Sequence, residues 1–430
     1  MKKLLVSLIL LQTVCYSQQR LTLPDAVNIA LKNSVSIAIY KSNVKITSIN
    51  NNYGIAGGLP AVNFTGTDNQ QSINLNQTQN TGIVTERSGV ASNAGGLSIA
   101  GTVPVYQGGK IVAEKKRLEI VQTQSEQQLT SRGITLVASV MLKYYDIVRQ
   151  QSYYKTLQKS IDVSQQKLAI VQKQKELGLS NNADLFQSQL DLNAQLQTLE
   201  SQQLVIDQDK TDLLALLTLK TDSTINIIDS IIVDKHIQLD SILNNLYINP
   251  DVVAADNQIS INELLSVETK ALKYPAVNLN SGYNYNRSKS EAGSVLFNQN
   301  YGPYIGLNFA VPIFNGNIYK KQYQVSTINT QIAKEIKDTL ILGFTSVAVK
   351  TYQAYRSNLK QLETQQKNYE LSLQLVDLVL QRFQLRQATI VDVKNAQQTF
   401  ENAAYALVNI SYAAKASEIQ LRKLANKLAY

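Results

Sequence analysis

The sequence predicts an α+β membrane protein built from two similar halves, each supplying two amphipathic β-strands and one long antiparallel helical hairpin. Three observations carry this reading. The phrase TVPVYQGGK at residues 102–110 returns as AVPIFNGNI at 310–318, and Pro104 and Pro312 lie 312 − 104 = 208 residues apart. Short stretches near each phrase alternate apolar and amide side chains with the period of two expected of a strand with unlike faces. The tracts that follow, about 107–177 and 315–385, contain no proline and, beyond their first residues, only Gly133 and Gly343. Long uninterrupted helices require that composition.

Taken in order, residues 1–17 (MKKLLVSLILLQTVCYS) have a basic start at Lys2 and Lys3, an apolar core from Leu4 to Leu11 and small residues at Cys15 and Ser17. This is the pattern of a secretory signal peptide, and its apolar run is shorter than the ~20 residues a membrane anchor needs. Gln12-Thr13-Val14 is a poor lead-in to lipid modification at Cys15. Cleavage after Ser17 leaves a mature chain without cysteine, which excludes disulfides, thiol catalysis and thiolate metal sites together. His236 is the one histidine of the chain, so a histidine-based triad or metal centre lacks its usual parts, and no catalytic constellation, cofactor or metal motif is present. The formal charge of +9 is spread along helical stretches rather than gathered in a basic run, which argues against nucleic acid.

The 208-residue offset holds beyond the proline phrase. Asp184 matches Asp392, Leu177 matches Leu385, Gln189 matches Gln397, and Tyr144 matches Tyr352. PAVNF (60–64) and PAVNL (275–279) are 275 − 60 = 215 apart, so the first copy carries a loop seven residues longer. The first repeat, 18–246, divides into a helix at about Pro24–Gly57, barrel strands within 60–106, a helical hairpin over 107–220 and a polar segment from 221 to 246. The second, 247–430, has a helix at about Pro250–Lys273, strands within 275–314 and a hairpin over 315–430. Val277, Leu279, Tyr283 and Tyr285 alternate with Asn278, Asn280, Asn284 and Asn286. Leu97, Ile99, Val103 and Val105 do the same, as do Ile305, Leu307, Phe309, Val311 and Ile313, whereas the first strand changes its apolar phase between Phe64 and Ile73. Leu185, Leu192, Leu199, Ile206 and Leu213 fall seven apart, and so do Val393, Phe400, Leu407, Ala414 and Leu421. That spacing is a coiled-coil seam, and each helix of roughly 65–70 residues is on the order of 100 Å long at 1.5 Å per residue.

A strand with one apolar and one polar face suits a barrel wall between lipid and water. Four strands are too few to close a barrel, and an open edge is not tolerated in a bilayer, so several chains must pool their strands. The repeated phrase marks the strand-to-helix junction. Pro104 and Pro312 end the ladder, Tyr106 and Phe314 suit a membrane interface, and Gly108 and Gly316 permit the change of direction.

With these features in order along about 400 residues, the chain resembles the outer membrane efflux protein family, the TolC-like exit ducts. The resemblance is carried by LTLPDAVNIALKNSVSI, NPDVVAAD, both PAVN strands, both Pro-aromatic-Gly junctions and LGLSNNADLFQSQLDL. It implies a homotrimer with a shared 12-stranded β-barrel in outer-membrane lipid and a periplasmic α-barrel of long helices, with 221–246 in a belt around it. The implied function is passive export of small molecules, such as drugs, toxic compounds or metal ions. A periplasmic adaptor and an inner-membrane pump of RND or ABC type would supply the route and the energy in a Gram-negative-type envelope. Type I secretion of polypeptides is the alternative, and a structural coiled-coil envelope protein a remote one. The resemblance also implies an aperture at the hairpin tips, to which Asp184 and Asp392 correspond. A second acidic position of some relatives corresponds to Asn395, beside Lys394, and latch positions bearing tyrosine and arginine correspond to Phe383 and Ala388. Both acids also sit in capping-box form, Asn181-x-x-Asp184 and Thr389-x-x-Asp392. Ala194, Ala396, Ala403 and Ala404 after the tips allow close helix packing or reflect helix propensity alone.

Overall fold

The computed structural model describes residues 19–291 and 295–428, so the leader over 1–17, with Cys15, lies outside the described residues. The chain begins with β1 (Gln19–Arg20), α1 (Leu23–Asn33) and α2 (Val35–Asn50), followed by β2 (Ala61–Thr78), β3 (Val84–Gln107), α3 (Lys110–Glu176) and α4 (Asn182–Leu216). Next come β4 (Ile225–Asn226), α5 (Leu239–Asn244) and a short 3-10 turn at Leu246–Ile248. The second half then supplies α6 (Pro250–Ala271), β5 (Ala276–Ser290), β6 (Phe297–Ala310), α7 (Ile318–Gln384) and α8 (Ile390–Leu424). The long helices repeat residue for residue. α3 and α7 have 67 residues each and α4 and α8 have 35, with starts offset by 318 − 110 = 208 and 390 − 182 = 208.

One expectation needs correcting at once. The single helix expected over 24–57 is two helices, because Ser34 at φ −60°, ψ 119° leaves helical geometry between α1 and α2. Its N–H still bonds the Ala30 carbonyl, closing α1, while its Oγ accepts from the Ile37 N–H at 3.4 Å and opens α2. A serine that can serve both ends makes the break cheap. At the start of α1, Thr22 Oγ1 accepts from the Asp25 N–H at 3.3 Å, with Pro24 in the first turn.

By internal contacts the described residues form two compact units that each draw on both halves, one within 19–41, 129–252 and 340–428 and the other within 42–128, 253–291 and 295–339. The first is helical. Val27 and Ala30 of α1 meet Val137, Val140, Tyr144 and Ile147 of α3 and Leu213 at the end of α4 in one buried cluster. The Tyr144 hydroxyl donates to the Leu21 carbonyl at 3.1 Å and to the Asp229 carboxylate. Burial, and then that carboxylate, push its ionisation well above the ordinary tyrosine range. Among the described residues Tyr144 and Tyr355 are the fully buried tyrosines, whereas the sequence-matched Tyr352 packs half-buried beside Tyr355. The heptad positions Ile206, Leu213, Val393, Phe400, Ala414 and Leu421 are all buried, the seam that seven-residue spacing demands.

The second unit holds a four-stranded antiparallel sheet in the order β2-β3-β5-β6. Below it, Arg117 of α3 meets the buried Glu268 of α6 at 2.6 Å, and Lys337 of α7 meets Asp256 of α6 at 2.6 Å. The first strand pair outruns the second: β3 leaves β5 at Ser92, opposite Ser290, but stays paired with β2 up to Val84, opposite Thr78. A register shift follows Ile73, which is an odd number of residues from Phe64 and so stands on the opposite face.

Candidate functional site

Both hairpins turn by the same chemistry. Gly178 (φ 72°) and Arg386 (φ 62°) take the left-handed conformation after α3 and α7. Leu179 N–H then bonds the Gln174 carbonyl at 2.7 Å and Gln387 N–H bonds the Arg382 carbonyl at 2.8 Å, the closure of a Schellman motif. The next helices start from side-chain caps. Thr389 Oγ1 accepts from the Asp392 N–H at 3.2 Å, and the Asp392 carboxylate accepts from the Thr389 N–H at 2.8 Å, a complete capping box. At the other tip Asn181 Oδ1 accepts from the Asp184 N–H at 2.8 Å, but the Asp184 carboxylate accepts from Ser180 Oγ at 3.2 Å, so only half of the expected box forms. The Thr389 backbone N–H, with its hydroxyl, holds the exposed Asp392 carboxyl below the usual range. Asn395 is exposed one turn further on.

Behind the caps the tips are apolar. Phe383 is buried among Val376, Leu380, Val393, Phe400, Val163 and Val171, with Ala388 packed against them. These two positions therefore hold the tip by packing. Among the small residues, Ala396 and Ala404 are buried, Ala403 is half-buried and Ala194 is exposed.

A polar layer crosses this seam that sequence reasoning missed. Lys167 of α3, fully buried, meets Asp191 of α4 at 2.7 Å, and Lys394 of α8 reaches the same carboxylate at 3.1 Å. Gln187 adds a third donor at 2.8 Å. Burial opposes ionisation of Asp191, but the bonds from Lys167, Lys394 and Gln187 outweigh it and hold the carboxyl below its usual range. Buried Gln397 donates to Ser160 Oγ at 2.6 Å and Ser164 Oγ at 2.9 Å, while Glu401 accepts from Ser160 and from Gln195, the latter at 2.9 Å. The available signal was the spacing Ser160, Ser164, Lys167, Val171, which puts a lysine on the inward stripe of α3.

At the strand-to-helix junctions the two copies differ. β3 continues through Pro104, which pairs with Asn278; the register shifts before Tyr106, which pairs with Val277. β2 has already ended at Ala61, opposite Thr102, so beyond that point Pro104 has a strand on one side only, where the missing N–H and the bulge are accommodated. The expectation that Pro104 ends the ladder is thus corrected. In the second copy β6 ends at Ala310, before Pro312. Tyr106 and Phe314 are both exposed. Gly108 and Gly109 have φ 61° and 84°, and their counterparts Gly316 and Asn317 have φ 67° and 64°. At Gly108 a Cβ would also lie 2.7 Å from the Ala271 carbonyl oxygen, so glycine is required there twice over.

The sheet has two unlike faces. Because residues two apart share a side, the register puts Phe64, Ile99, Tyr283 and Pro303 in one row, and Val103, Leu279 and Leu307 in another. Leu97, Tyr285 and Tyr301 share a third row on that face. Opposite them, Ser98 bonds Asn284 at 2.6 Å, Thr102 bonds Asn280 at 2.9 Å and Asn286 bonds Asn300 at 3.1 Å. The apolar face lies bare, with Ile305 75% and Leu307 71% exposed, and the outer edges of β2 and β6 are unpaired among the described residues. Among the described residues no helix is long and apolar enough to cross a membrane.

A model of the outer membrane efflux protein family matches residues 26–218 and 244–427. The chain belongs to this family. No curated protein matches it. Solved structures show the same fold. VceC of Vibrio cholerae, an outer membrane protein, superposes with TM-score 0.77 at 17% identity over 94% of this chain and 95% of its own. The CmeC outer membrane channel of Campylobacter jejuni gives 0.75 at 16% identity over 94% and 85%. The open state of the MtrE outer membrane channel of Neisseria gonorrhoeae gives 0.67 at 16% identity over 94% and 88%.

In this outer membrane efflux protein the repeat survives in backbone conformation even where side chains diverge. Gly178 and Arg386 are 386 − 178 = 208 apart, and the left-handed Thr218 and Asn426 at the ends of α4 and α8 are 426 − 218 = 208 apart. Arginine at such a position is strained by about 1 kcal/mol relative to glycine. Arg386→Gly should therefore raise the thermal midpoint of the purified protein by an amount equivalent to about 1 kcal/mol, and Gly178→Ala should lower it comparably. A lowered midpoint for Arg386→Gly would show that its side chain contributes more than its conformation costs.

Proposed function

We propose that three copies of this chain form a passive export duct in the outer membrane of a Gram-negative-type envelope, with the helices in the periplasm. The observation that carries the reading is the open sheet, which has one bare apolar face, one amide face and, among the described residues, two free edges. Three such sheets joined edge to edge make twelve strands and leave no edge in the bilayer. From Val277 to Tyr285 the lipid-facing residues span eight positions, roughly 27 Å of strand, which at a tilt of about 40° rises roughly 21 Å, most of the apolar band of an outer-membrane barrel. Bare apolar positions along α2 (Val35, Ile39, Ile46, Ile49) and α7 (Val325, Ile332, Ile336) supply faces for neighbouring copies.

In this reading Asp184, Asp392 and Asn395 border the aperture at the hairpin tips, and three copies of Asp392 form a negative ring that favours cations. A polar cavity of about 220 Å³ between α4 and α8, lined by Asp191, Gln195, Lys394 and Glu401, offers side-chain contacts to a periplasmic adaptor. The adaptor delivers small molecules and an inner-membrane pump supplies the energy. The test is the mass of the oligomer in detergent together with single-channel conductance in planar bilayers. A trimer with small, cation-selective conductance is expected, and Asp392→Ala should reduce the cation preference several-fold. A monomeric, silent protein would overturn the duct, and unchanged selectivity in the variant would leave Asp392 as a helix cap alone.

A further inference from the structure

We infer that Arg287 and Lys289 of β5 bind phosphate groups of lipid headgroups at the end of the sheet remote from the helices. The inference rests on the duct reading, which makes that end the outer leaflet. Strand β5 pairs with β6 without interruption, so Arg287 and Lys289 stand on the same face as Val277, Leu279, Tyr283 and Tyr285. Along that face the residues run apolar, then aromatic at Tyr283 and Tyr285, then cationic. Arg287 follows Tyr285 by roughly 7 Å of strand and Lys289 by roughly 13 Å. Tyrosines on a barrel exterior sit at headgroup level, so the two cations reach the phosphate layer just above it.

The neighbours leave both charges available to a ligand. Arg287 and Lys289 are exposed, and neither enters an ion pair among the described residues. Arg287 lies between Gly95 and Gln299, and Lys289 between Asn93 and Phe297, in the register of the three strands. Among the acids on this side, Asp68 stands beyond Gly95 on β2 and accepts from Asn93 at 2.8 Å and Gln70 at 3.3 Å, Glu86 accepts from Asn76 at 2.9 Å, and exposed Glu291 follows Lys289 by two residues without an ion pair to it among the described residues. The exposed Phe297, opposite Lys289, adds an interfacial aromatic at the same level. A guanidinium fork and an ammonium on one face, two and four positions beyond the last tyrosine, match phosphate bound both in bidentate fashion and as a point charge. The other face of the same strand offers Asn286, Ser288 and Ser290 at these levels, so the charge is confined to the lipid side.

The test compares detergent-purified wild type with Arg287→Gln/Lys289→Gln, titrated with bisphosphorylated lipid A, dephosphorylated lipid A or inorganic phosphate, with bound lipid counted by native mass spectrometry. Wild type should bind phosphorylated lipid A about tenfold more tightly than the double variant and more tightly than dephosphorylated lipid A. Equal binding of the two lipids by wild type, or equal binding of phosphorylated lipid by wild type and a correctly assembled variant, would overturn the inference. Displacement of the lipid by an equimolar amount of inorganic phosphate would overturn the commitment to a lipid source. Wild-type conductance measured alongside separates the two readings: a conducting duct without phosphate preference sinks this inference alone, whereas a silent wild type sinks the duct.

Discussion

Asp191→Asn is expected to lower stability by about 3–5 kcal/mol, because it leaves the ammonium of Lys167 buried without a counter-ion. Lys167 is 0% exposed, and Asp191 is its ion-pair partner at 2.7 Å. Asparagine keeps the shape and one acceptor but removes the charge. Lys394, half-exposed at its end of the same carboxylate, adds on the order of 1 kcal/mol at most. The double variant Lys167→Met/Asp191→Leu should fall much nearer to wild type, since replacing a buried pair by apolar groups is often neutral. The same pair sets a pH dependence. Asp191 is held below its unfolded value, so its contribution is complete above about pH 4 and is lost as pH falls through the lower folded value. Thermal melts of both variants from pH 7 to pH 3 check this. If Asp191→Asn melts within 1 kcal/mol of wild type at pH 7, Lys167 has another route to water and the buried-pair account is wrong.

The elements that could be read from the sequence are those whose signals are local or periodic. Heptads placed the seam, proline-free tracts placed α3 and α7, and alternation placed β5 and β6. The 208-residue offset tied them together, and it holds down to single left-handed residues such as Gly178 and Arg386. What escaped was set by neighbours distant in sequence. The break at Ser34 depends on one hydroxyl serving two helices, and serine is common enough inside helices to give no warning. Pro104 stays in its ladder because β2 has already ended beside it, a fact of register rather than composition. Lys167, Asp191 and Lys394 belong to three helices, and only folding puts the second lysine, 394 − 191 = 203 residues on, against the same carboxylate. At the tips, the Thr389–Asp392 box followed from spacing, whereas Asp184 turned to Ser180, a choice of rotamer that spacing cannot settle.

Ile305→Arg should cripple assembly in the membrane, while Gly306→Arg one residue later should be tolerated. Ile305 lies on the apolar face opposite Ser281, four positions from both Val277 and Tyr285, and so at mid-height of the band proposed to face lipid. Arginine at the bilayer midplane of a barrel costs about 2–4 kcal/mol, and three chains sharing one barrel incur it three times. Gly306 points to the amide face opposite Asn280, has no positive φ, and has nothing within 4 Å of where its Cβ would stand. A long cation there extends into water. The measurement is the fraction of each variant recovered as a heat-stable oligomer from outer-membrane extracts, with urea titration in lipid vesicles to size the loss. The contrast carries the argument: in a water-exposed coiled-coil fibre both residues are surface positions and both arginines are harmless. Equal tolerance of the two would remove lipid from the apolar face, and with it the reason for pooling strands among chains.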